Sequence, residues 1–279
     1  MSMNFVMFLK NYKKLFFNKF KYIYFKSIFI FSNLTLPLAI KLFLKLCYTE
    51  IKYFGAKLKV AKHQNFKFSR DIYDQSNKPY YYYGNYKFDM MDAFTPHVPI
   101  WEKFFIDNEL SLKPLSYLEI GCFEGRSSIF VLEKLKNSRC TFVDPFEENY
   151  EMTNSTGQRD YKKIYKNFTS NISQFNDRYT VFRDTSDNFF KTLDDKLNFD
   201  LIYIDGSHFS DDVYRDSYNS FNHLNNGGYI IFDDFFWSWY EKLEDNPFFG
   251  ICKFLKDNKR TIKILYLGDQ LIVRKRQYR

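Results

Sequence analysis

The sequence predicts an α/β fold, with a doubly wound, mostly parallel sheet that ends in an antiparallel β-hairpin and is preceded by a helical extension. From residue 117 onward, short apolar runs alternate five times with stretches of helical periodicity. This alternation is typical of a parallel sheet covered by helices on both faces. The last two apolar runs, 261–267 and 271–275, are joined by Gly268-Asp269, which indicates the hairpin.

Each element is predicted from the spacing of its apolar residues. The five parallel strands are predicted at 117–120, 140–143, 179–182, 200–204 and 229–232. The helices are predicted at 102–109, 127–135, 161–172, 186–193, 211–224 and 249–257. The residues Asn225-Asn-Gly-Gly228 predict a turn before the fifth strand, because Asn and Gly adopt turn conformations readily.

The charge of the chain is concentrated in its first quarter. Residues 1–70 contain fourteen Lys or Arg and a single acid, Glu50, whereas the remainder is mildly acidic. This distribution argues against a body with a broadly basic nucleic-acid-binding face, so we expect no nucleic acid partner. The four cysteines have no paired spacing, which predicts free thiols in the reducing cytoplasm.

The N-terminal residues predict an amphipathic helix with a cationic face. Within 3–26, aromatic and aliphatic residues recur every three or four positions with lysines between them. The uncharged stretch 27–40 is shorter than the roughly 20 residues that span a bilayer. Two interpretations stay open: a peripheral anchor on a membrane surface, with residues 1–60 facing anionic lipid, or a helical lid on the following domain. The predicted boundaries are 1–61 for this extension, 62–93 for a linker or lid, and 94–279 for the main domain.

Polar residues follow all five predicted parallel strands at the point where each apolar run ends. Because parallel strands end at one rim of their sheet, these residues are expected to surround a common ligand site. The Gly121–Gly125 spacing differs from the Gly-x-Gly-x-x-Gly dinucleotide fingerprint. The candidate residues are Glu119 with Gly121 and Gly125, then Asp144, then Asp184 with Ser186, then Asp205 with His208, and finally Asp233 with Asp234.

Four motifs carry a family resemblance, and they are Leu118-Glu-Ile-Gly-Cys-Phe-Glu-Gly-Arg-Ser127, Phe142-Val-Asp-Pro145, Ile204-Asp-Gly-Ser-His208 and Asn226-Gly-Gly-Tyr-Ile-Ile-Phe-Asp-Asp234. In this order they resemble the class I S-adenosylmethionine-dependent methyltransferases, which have a Rossmann-like fold. Within that class they are similar to the metal-dependent small-molecule and sugar O-methyltransferases of the macrocin, mycinamicin and catechol type. The resemblance covers about residues 94–275.

The resemblance implies a role for each residue of the cofactor side. Glu119 and the Gly121–Gly125 loop would hold the methionine part of S-adenosylmethionine, with Ser127 near its carboxylate. Asp144 would accept hydrogen bonds from the ribose hydroxyls. The adenine would be bordered by Asp184 and Ser186.

The resemblance also implies that Asp205, Asp233 and Asp234 bind Mg²⁺. Independently of it, three carboxylates at neighbouring strand ends repel one another unless a cation or protons lie between them, and Mg²⁺ prefers oxygen ligands. The alternative is that Asp233 or Asp234 caps the following segment. His208 would act with Asp205 in catalysis as general base, the alternative being a loop histidine without a catalytic role. His97, between two prolines, is expected to be structural.

The sequence therefore predicts an O-methyltransferase that acts, with the help of Mg²⁺, on a hydroxyl group of a small molecule or glycan. Two rival hypotheses stay open. One is a nucleic-acid or protein methyltransferase, although the Asn/Asp-Pro-Pro-Tyr motif of the amino-directed DNA enzymes is missing after the fourth strand. The other is a non-catalytic, membrane-tethered binding protein with the same fold. The acceptor and the oligomeric state are not determined by the sequence.

Overall fold

The computed structural model describes residues 40, 43–44, 84–147, 159–237, 240 and 242–277 of the 279-residue chain. The predicted N-terminal helix and the amphipathic stretch 3–26 lie outside these residues, so both interpretations of the extension stay predictions. All but three of the described residues belong to one compact unit, Ser69–Arg279. Among the described residues, no helix has the length and apolar character needed to cross a bilayer.

The described residues form one seven-stranded sheet in the order β3-β2-β1-β4-β5-β7-β6. The strands are β1 (Leu115–Ile120), β2 (Ser138–Val143), β3 (Tyr179–Phe182), β4 (Phe199–Ile204), β5 (Leu224–Phe232), β6 (Ile262–Leu267) and β7 (Leu271–Lys275). The first five strands pair in parallel, and β7 pairs antiparallel with both β5 and β6. The predicted fold class, including the terminal hairpin, is confirmed.

Six α-helices connect and flank the described strands. They are α1 (Val98–Asp107), α2 (Arg126–Lys134), α3 (Tyr161–Ile172), α4 (Ser186–Thr192), α5 (Ser210–Asn222) and α6 (Pro247–Asp257). Side chains cap two of them: Asp160 accepts a hydrogen bond from the Lys163 N–H at the start of α3, and Thr185 accepts one from the Asn188 N–H at the start of α4. Helix α1 begins four residues before the predicted start because Pro99 fits the first turn of a helix.

The turn predicted at 225–228 is wrong, because these residues belong to β5. Phe199 pairs with Leu224 and Leu201 pairs with Tyr229, so the four intervening residues of β5 lie opposite Asp200 alone. This makes a large β-bulge, in which Asn225 Nδ2 donates to Asp200 Oδ1 at 2.8 Å. The Asn-Gly signal falls on this bulge, where Gly227 has φ +82°, but the strand continues through it.

The core contains a cluster of aromatic rings that joins α1 to the sheet. Trp101 of α1 has no exposed surface, and its ring meets Phe94, Phe105, Phe130 and Tyr203 edge-on, with centroids 4.9–6.2 Å apart. Burial of aromatic rings of this size contributes strongly to stability. Helix α1 is therefore an integral part of the domain, packed against a residue of the central strand β4.

Helices α5 and α6 approach so closely at Gly250 that a side chain has no room. A Cβ atom at this position would lie 2.1 Å from the carbonyl oxygen of Ser210. We expect the Gly250→Ala variant to lose about 1–3 kcal/mol of unfolding free energy, since the helices must separate to admit the methyl group. Urea denaturation measures this loss.

Lys256→Ala is the matched control, because Lys256 is exposed on the same helix. We expect its unfolding free energy to lie within about 0.5 kcal/mol of that of the parent chain. Equal stability of the two variants would contradict the close packing of α5 on α6.

Candidate functional site

The cofactor side of the site is built around a fully buried acid at the end of β1. Glu119 has no exposed surface. The hydroxyl of Ser127, in the first turn of α2, donates to its Oε1 atom, and the hydroxyl of Tyr117 donates to its Oε2 atom at 3.1 Å. Burial raises the pKa of Glu119 to about 8, against the lowering effect of the hydrogen bonds from Ser127 and Tyr117. Ser127, predicted to lie near the cofactor carboxylate, is thus bonded to Glu119.

The loop after β1 turns sharply at two glycines with left-handed backbone. Gly121 has φ +85°, and Gly125, which precedes α2, has φ +84°. A Cβ atom at Gly121 would lie 2.0 Å from the carbonyl oxygen of Asp205, so only glycine fits where the end of β1 meets the end of β4. The loop therefore lies directly beside the residues that follow β4.

Asp144, at the end of β2, is tied to the same loop. Its Oδ2 atom accepts from the backbone N–H groups of Cys122 and Phe123, at 2.8 and 3.0 Å, and its Oδ1 atom accepts from that of Phe146 at 2.7 Å. Burial raises the pKa of Asp144, and these three hydrogen bonds offset part of the rise. A carboxylate oxygen accepts about two hydrogen bonds, so Oδ1 retains capacity for a hydroxyl group. Its role toward a ribose stays a prediction.

Asp184 and Ser186, predicted to border an adenine, lie at the start of α4. Asp184 Oδ1 accepts from the Thr185 N–H at 2.6 Å and from Asn188 Nδ2 at 2.9 Å, and these two hydrogen bonds lower its pKa. The Ser186 hydroxyl donates to Asp216 Oδ1 at 2.6 Å. Both side chains thus stabilise local structure, and a role toward adenine stays a prediction.

Sequence reasoning missed Asp216, which is only 4% exposed on α5. Burial raises its pKa to about 7. Its signal in the sequence was an acid on the helix face that also carries Val213, Ser217 and Ser220, all of which are buried. Because helices of this domain carry many exposed acids, that signal was too weak to separate Asp216 from its neighbours.

The structure brings Asp205 and Asp233 together at the ends of β4 and β5. The Tyr203 hydroxyl reaches Asp205 Oδ2 at 3.1 Å and makes a shorter contact with Asp233 Oδ2. Burial and the charges of the neighbouring Asp233 and Asp234 raise the pKa of Asp205 well above its usual value. Burial and the charges of Asp205 and Asp233 raise the pKa of Tyr203 as well, so its hydroxyl keeps its proton and remains a donor. We call Asp205, Asp233 and Asp234 the acid cluster.

Two histidines border the acid cluster from different parts of the chain. His208 Nε2 lies 2.8 Å from Asp234 Oδ2, and its ring stacks on that of Trp237 with centroids 4.6 Å apart. His97 Nε2 lies 3.9 Å from Asp233 Oδ1. His97 was expected to be structural; its place beside the cluster could not be read from the sequence because α1 lies far from β5 along the chain. A cavity beside the cluster is lined by His208, with Val213, Phe232 and Pro247 as its apolar wall.

The donor chemistry of the acid cluster fits a hard divalent cation, although its side chains are paired with protein groups. Asp205 and Asp233 face Tyr203, whereas Asp234 faces His208. Within the described ranges, no three His, Cys, Asp or Glu side chains are already arranged as a metal-ligand set. Carboxylate oxygens are nevertheless the ligands that Mg²⁺ prefers. Burial, and after it the charges of neighbouring carboxylates, raise the pKa of Asp205 and Asp233, and a cation would offset those charges.

The segment before α1 is bonded to the glycine loop. Glu124 of that loop is 2% exposed and accepts hydrogen bonds from the backbone N–H groups of Asp89 and Met90, at 2.9–3.2 Å. Asn171 of α3 exchanges two hydrogen bonds with the main chain of Lys87, each 2.8 Å long. The described part of the predicted linker or lid, residues 84–93, thus contacts the cofactor side of the site; the boundary at 93/94 stays a prediction.

The buried Glu119 predicts a pH dependence of stability. Its pKa is about 8 in the folded chain and near 4.5 when exposed, so unfolding between these values releases a proton. Its contribution to stability is therefore complete below about pH 4.5 and is lost as the pH rises to about 8. We expect Glu119→Gln to lose less thermal stability than the parent chain between pH 5 and pH 8, as measured by calorimetry.

Glu244→Gln is the control, since Glu244 is exposed. We expect this variant to follow the parent chain. The same loss of melting temperature between pH 5 and pH 8 in Glu119→Gln and the parent chain would show that Glu119 is ionised in the folded state at neutral pH.

Comparison with protein families and curated proteins gives two matches. Residues 118–235 match a family described as "Methyltransferase domain". The uncharacterized protein R132 of Acanthamoeba polyphaga mimivirus is 29% identical over 144 residues, which cover 51% of this chain and 61% of that protein. The chain thus spans about three fifths of the length of this relative.

Several solved structures are similar to parts of the chain. The O-methyltransferase from Bacillus cereus, in complex with SAH, is 18% identical with a TM-score of 0.46, and the match covers 63% of this chain and 81% of that one. A putative O-methyltransferase from Klebsiella pneumoniae is 14% identical with a TM-score of 0.49, covering 69% and 84%. MycE from the mycinamycin biosynthetic pathway, in complex with Mg and SAH, is 17% identical with a TM-score of 0.45, covering 68% and 52%.

The family match begins in β1, includes the glycine loop and ends just after Asp233 and Asp234. It thus contains every predicted site residue, and the sheet order agrees with the fold that the four motifs imply. Residues 118–235 therefore match a methyltransferase domain, and their sheet order is that of the Rossmann-like fold that the motifs resemble.

Proposed function

We propose that the chain transfers the methyl group of S-adenosylmethionine to a hydroxyl group of a small molecule or glycan, with the help of Mg²⁺. One observation carries this proposal: Asp205 of the acid cluster lies directly beside the glycine loop, because Gly121 packs against its main chain, and His208 borders the same cluster through Asp234. A loop for the methyl donor and a set of groups suited to acidify a hydroxyl thus share one rim of the sheet.

Bound S-adenosylmethionine would supply an electrophilic methyl group, and Mg²⁺ on the acid cluster would supply positive charge that makes an acceptor hydroxyl more acidic. Glu119, Asp144 and the glycine loop would hold and orient the donor. The residues that follow β4 and β5 would hold the acceptor in line with the donor, which is the main requirement of methyl transfer.

His208 is the residue we propose as general base. Its imidazole would take up the hydroxyl proton as the acceptor oxygen displaces the sulfur from the methyl group of the donor. The carboxylate of Asp234, 2.8 Å from Nε2, stabilises the imidazolium that forms. The stacked ring of Trp237 fixes the plane of the imidazole.

The strongly basic residues 1–60 support a second, independent proposal: peripheral contact with an anionic membrane surface. The alternative is a lid on the domain. Co-sedimentation of the full chain with phosphatidylserine vesicles distinguishes them, and absence of binding at low salt would overturn the membrane proposal.

The first test is a thermal-shift experiment with S-adenosylmethionine, with and without Mg²⁺. We expect the donor to raise the melting temperature, because a ligand that binds only the folded chain stabilises it, and we expect Mg²⁺ to raise it further. A response to the donor alone would leave open both the O-methyltransferase and the nucleic-acid or protein methyltransferase, whereas a further effect of Mg²⁺ would select the O-methyltransferase. No response at all would favour the non-catalytic binding protein.

The second test uses a hydroxylated-metabolite or cell-wall extract with isotopically labelled S-adenosylmethionine, read by mass spectrometry. We expect His208→Ala to lower labelled product at least 100-fold, since general-base catalysis contributes about 10²–10⁴-fold, while donor affinity stays within about twofold. Asp205→Asn is expected to lower product strongly with similarly small loss of donor affinity.

His223→Ala serves as the matched control, because His223 lies at the end of α5 and contacts the Leu197 carbonyl oxygen, away from the acid cluster. Its product yield should equal that of the parent chain. Loss of donor affinity in both His208→Ala and Asp205→Asn, measured by titration calorimetry, would contradict the division into a donor side and an acid cluster.

A further inference from the structure

The hydroxyl group of Tyr203 contacts two carboxylates of the acid cluster. Residues two apart on a strand point to the same face, so the ring of Tyr203 lies under Asp205. Its hydroxyl also crosses to the neighbouring strand and contacts Asp233. One hydroxyl group thus joins carboxylates that belong to two different strands, β4 and β5.

A buried chain of hydrogen bonds from two other side chains also ends at this hydroxyl group. Gln270, in the turn between β6 and β7, donates through Nε2 to the Tyr203 oxygen at 3.4 Å. Trp101 of α1 donates through Nε1 to Gln270 Oε1 at 2.7 Å, and its ring meets the Tyr203 ring edge-on at 4.9 Å. All three side chains have no exposed surface. Because Gln270 donates to the Tyr203 oxygen, the hydroxyl proton is directed toward the two carboxylates.

The same arrangement occurs on the adjacent strand. Tyr117 stands two residues before Glu119, as Tyr203 stands before Asp205, and its hydroxyl donates to Glu119. Glu119 and Tyr203 are register partners across β1 and β4. The sheet therefore carries two buried tyrosine–acid pairs side by side, one on the cofactor side and one under the acid cluster.

We propose that Tyr203 is a positioning residue, which holds Asp205 and Asp233 at the separation needed to bind a divalent cation together. This inference rests on the Mg²⁺ assistance in the proposed function. Trp101 and Gln270 act through Tyr203, so that α1 and the β6–β7 turn both determine the geometry of the acid cluster. Without the hydroxyl, the two carboxylates lose their common donor and their mutual repulsion moves them apart.

The test is Tyr203→Phe, which removes one oxygen atom and keeps the ring packed on Trp101. Mn²⁺ is the probe, and its binding to the full chain is measured by electron paramagnetic resonance, with Mg²⁺ as competitor. We expect Tyr203→Phe to bind Mn²⁺ about 10-fold more weakly or worse, because a hydrogen bond to a charged group contributes about 1.5–3 kcal/mol and each 1.4 kcal/mol is tenfold. The spectrum of the Mn²⁺ that still binds should change, since its ligands are displaced. Affinity for SAH, measured by calorimetry, should stay within about twofold.

Two matched variants separate positioning from general weakening of the fold. Tyr229→Phe removes a hydroxyl that donates to Asn108 Oδ1 at 3.0 Å, away from the acid cluster. We expect it to leave Mn²⁺ and SAH binding unchanged. Tyr117→Phe should show the reverse of Tyr203→Phe, with weaker SAH binding and unchanged Mn²⁺ binding.

Three outcomes would overturn the inference, and they are distinguishable. If the parent chain itself binds no Mn²⁺, the metal part of the proposed function fails and this inference fails with it. If the parent chain binds Mn²⁺ and Tyr203→Phe binds it equally well, only the positioning role fails. If Tyr203→Phe loses Mn²⁺ and SAH affinity together with melting temperature, the role of Tyr203 is structural.

Discussion

The close approach of two strand ends at Gly121 is the constraint on which the site depends. A Cβ atom there would collide with the carbonyl oxygen of Asp205, and the Asp205 N–H bonds back to Ile120 at 2.8 Å. Because these backbones touch, the loop after β1 and the residues after β4 share one rim of the sheet. A glycine with left-handed φ therefore makes the loop that we propose for the donor a neighbour of the acid cluster.

The second constraint is electrostatic, since four acids end neighbouring strands of the same sheet. The structure separates their environments. Glu119 is surrounded by hydroxyl donors, Asp144 by backbone N–H groups, and Asp205 and Asp233 share the hydroxyl of Tyr203. Each acid thus faces at least one hydrogen-bond donor, which limits the repulsion between them. Burial and the charges of neighbouring carboxylates still raise the pKa of Asp205 and Asp233.

The residues before β1 contribute more to the site than their irregular composition suggests. Glu124 of the glycine loop bonds to the backbone at Asp89 and Met90, and α1 brings Trp101 beneath Tyr203 and His97 beside Asp233. The loop that we propose for the donor and the acid cluster that we propose for the metal are thus both supported by the segment 84–107. Substitutions in that segment are expected to alter both the glycine loop and the acid cluster.

The sequence by itself determined the fold class, the succession of strands and helices along the chain, and the residues at the strand ends. These follow from hydrophobic periodicity and from the rule that parallel strands end at one rim, both of which are local or topological. Only the tertiary structure decided that residues 225–228 continue β5, that Asp234 faces His208, and that Tyr203, Gln270, Trp101 and His97 meet around the acid cluster. Those contacts join residues up to 169 positions apart. Side chains so distant along the chain meet only through packing, which no local pattern encodes.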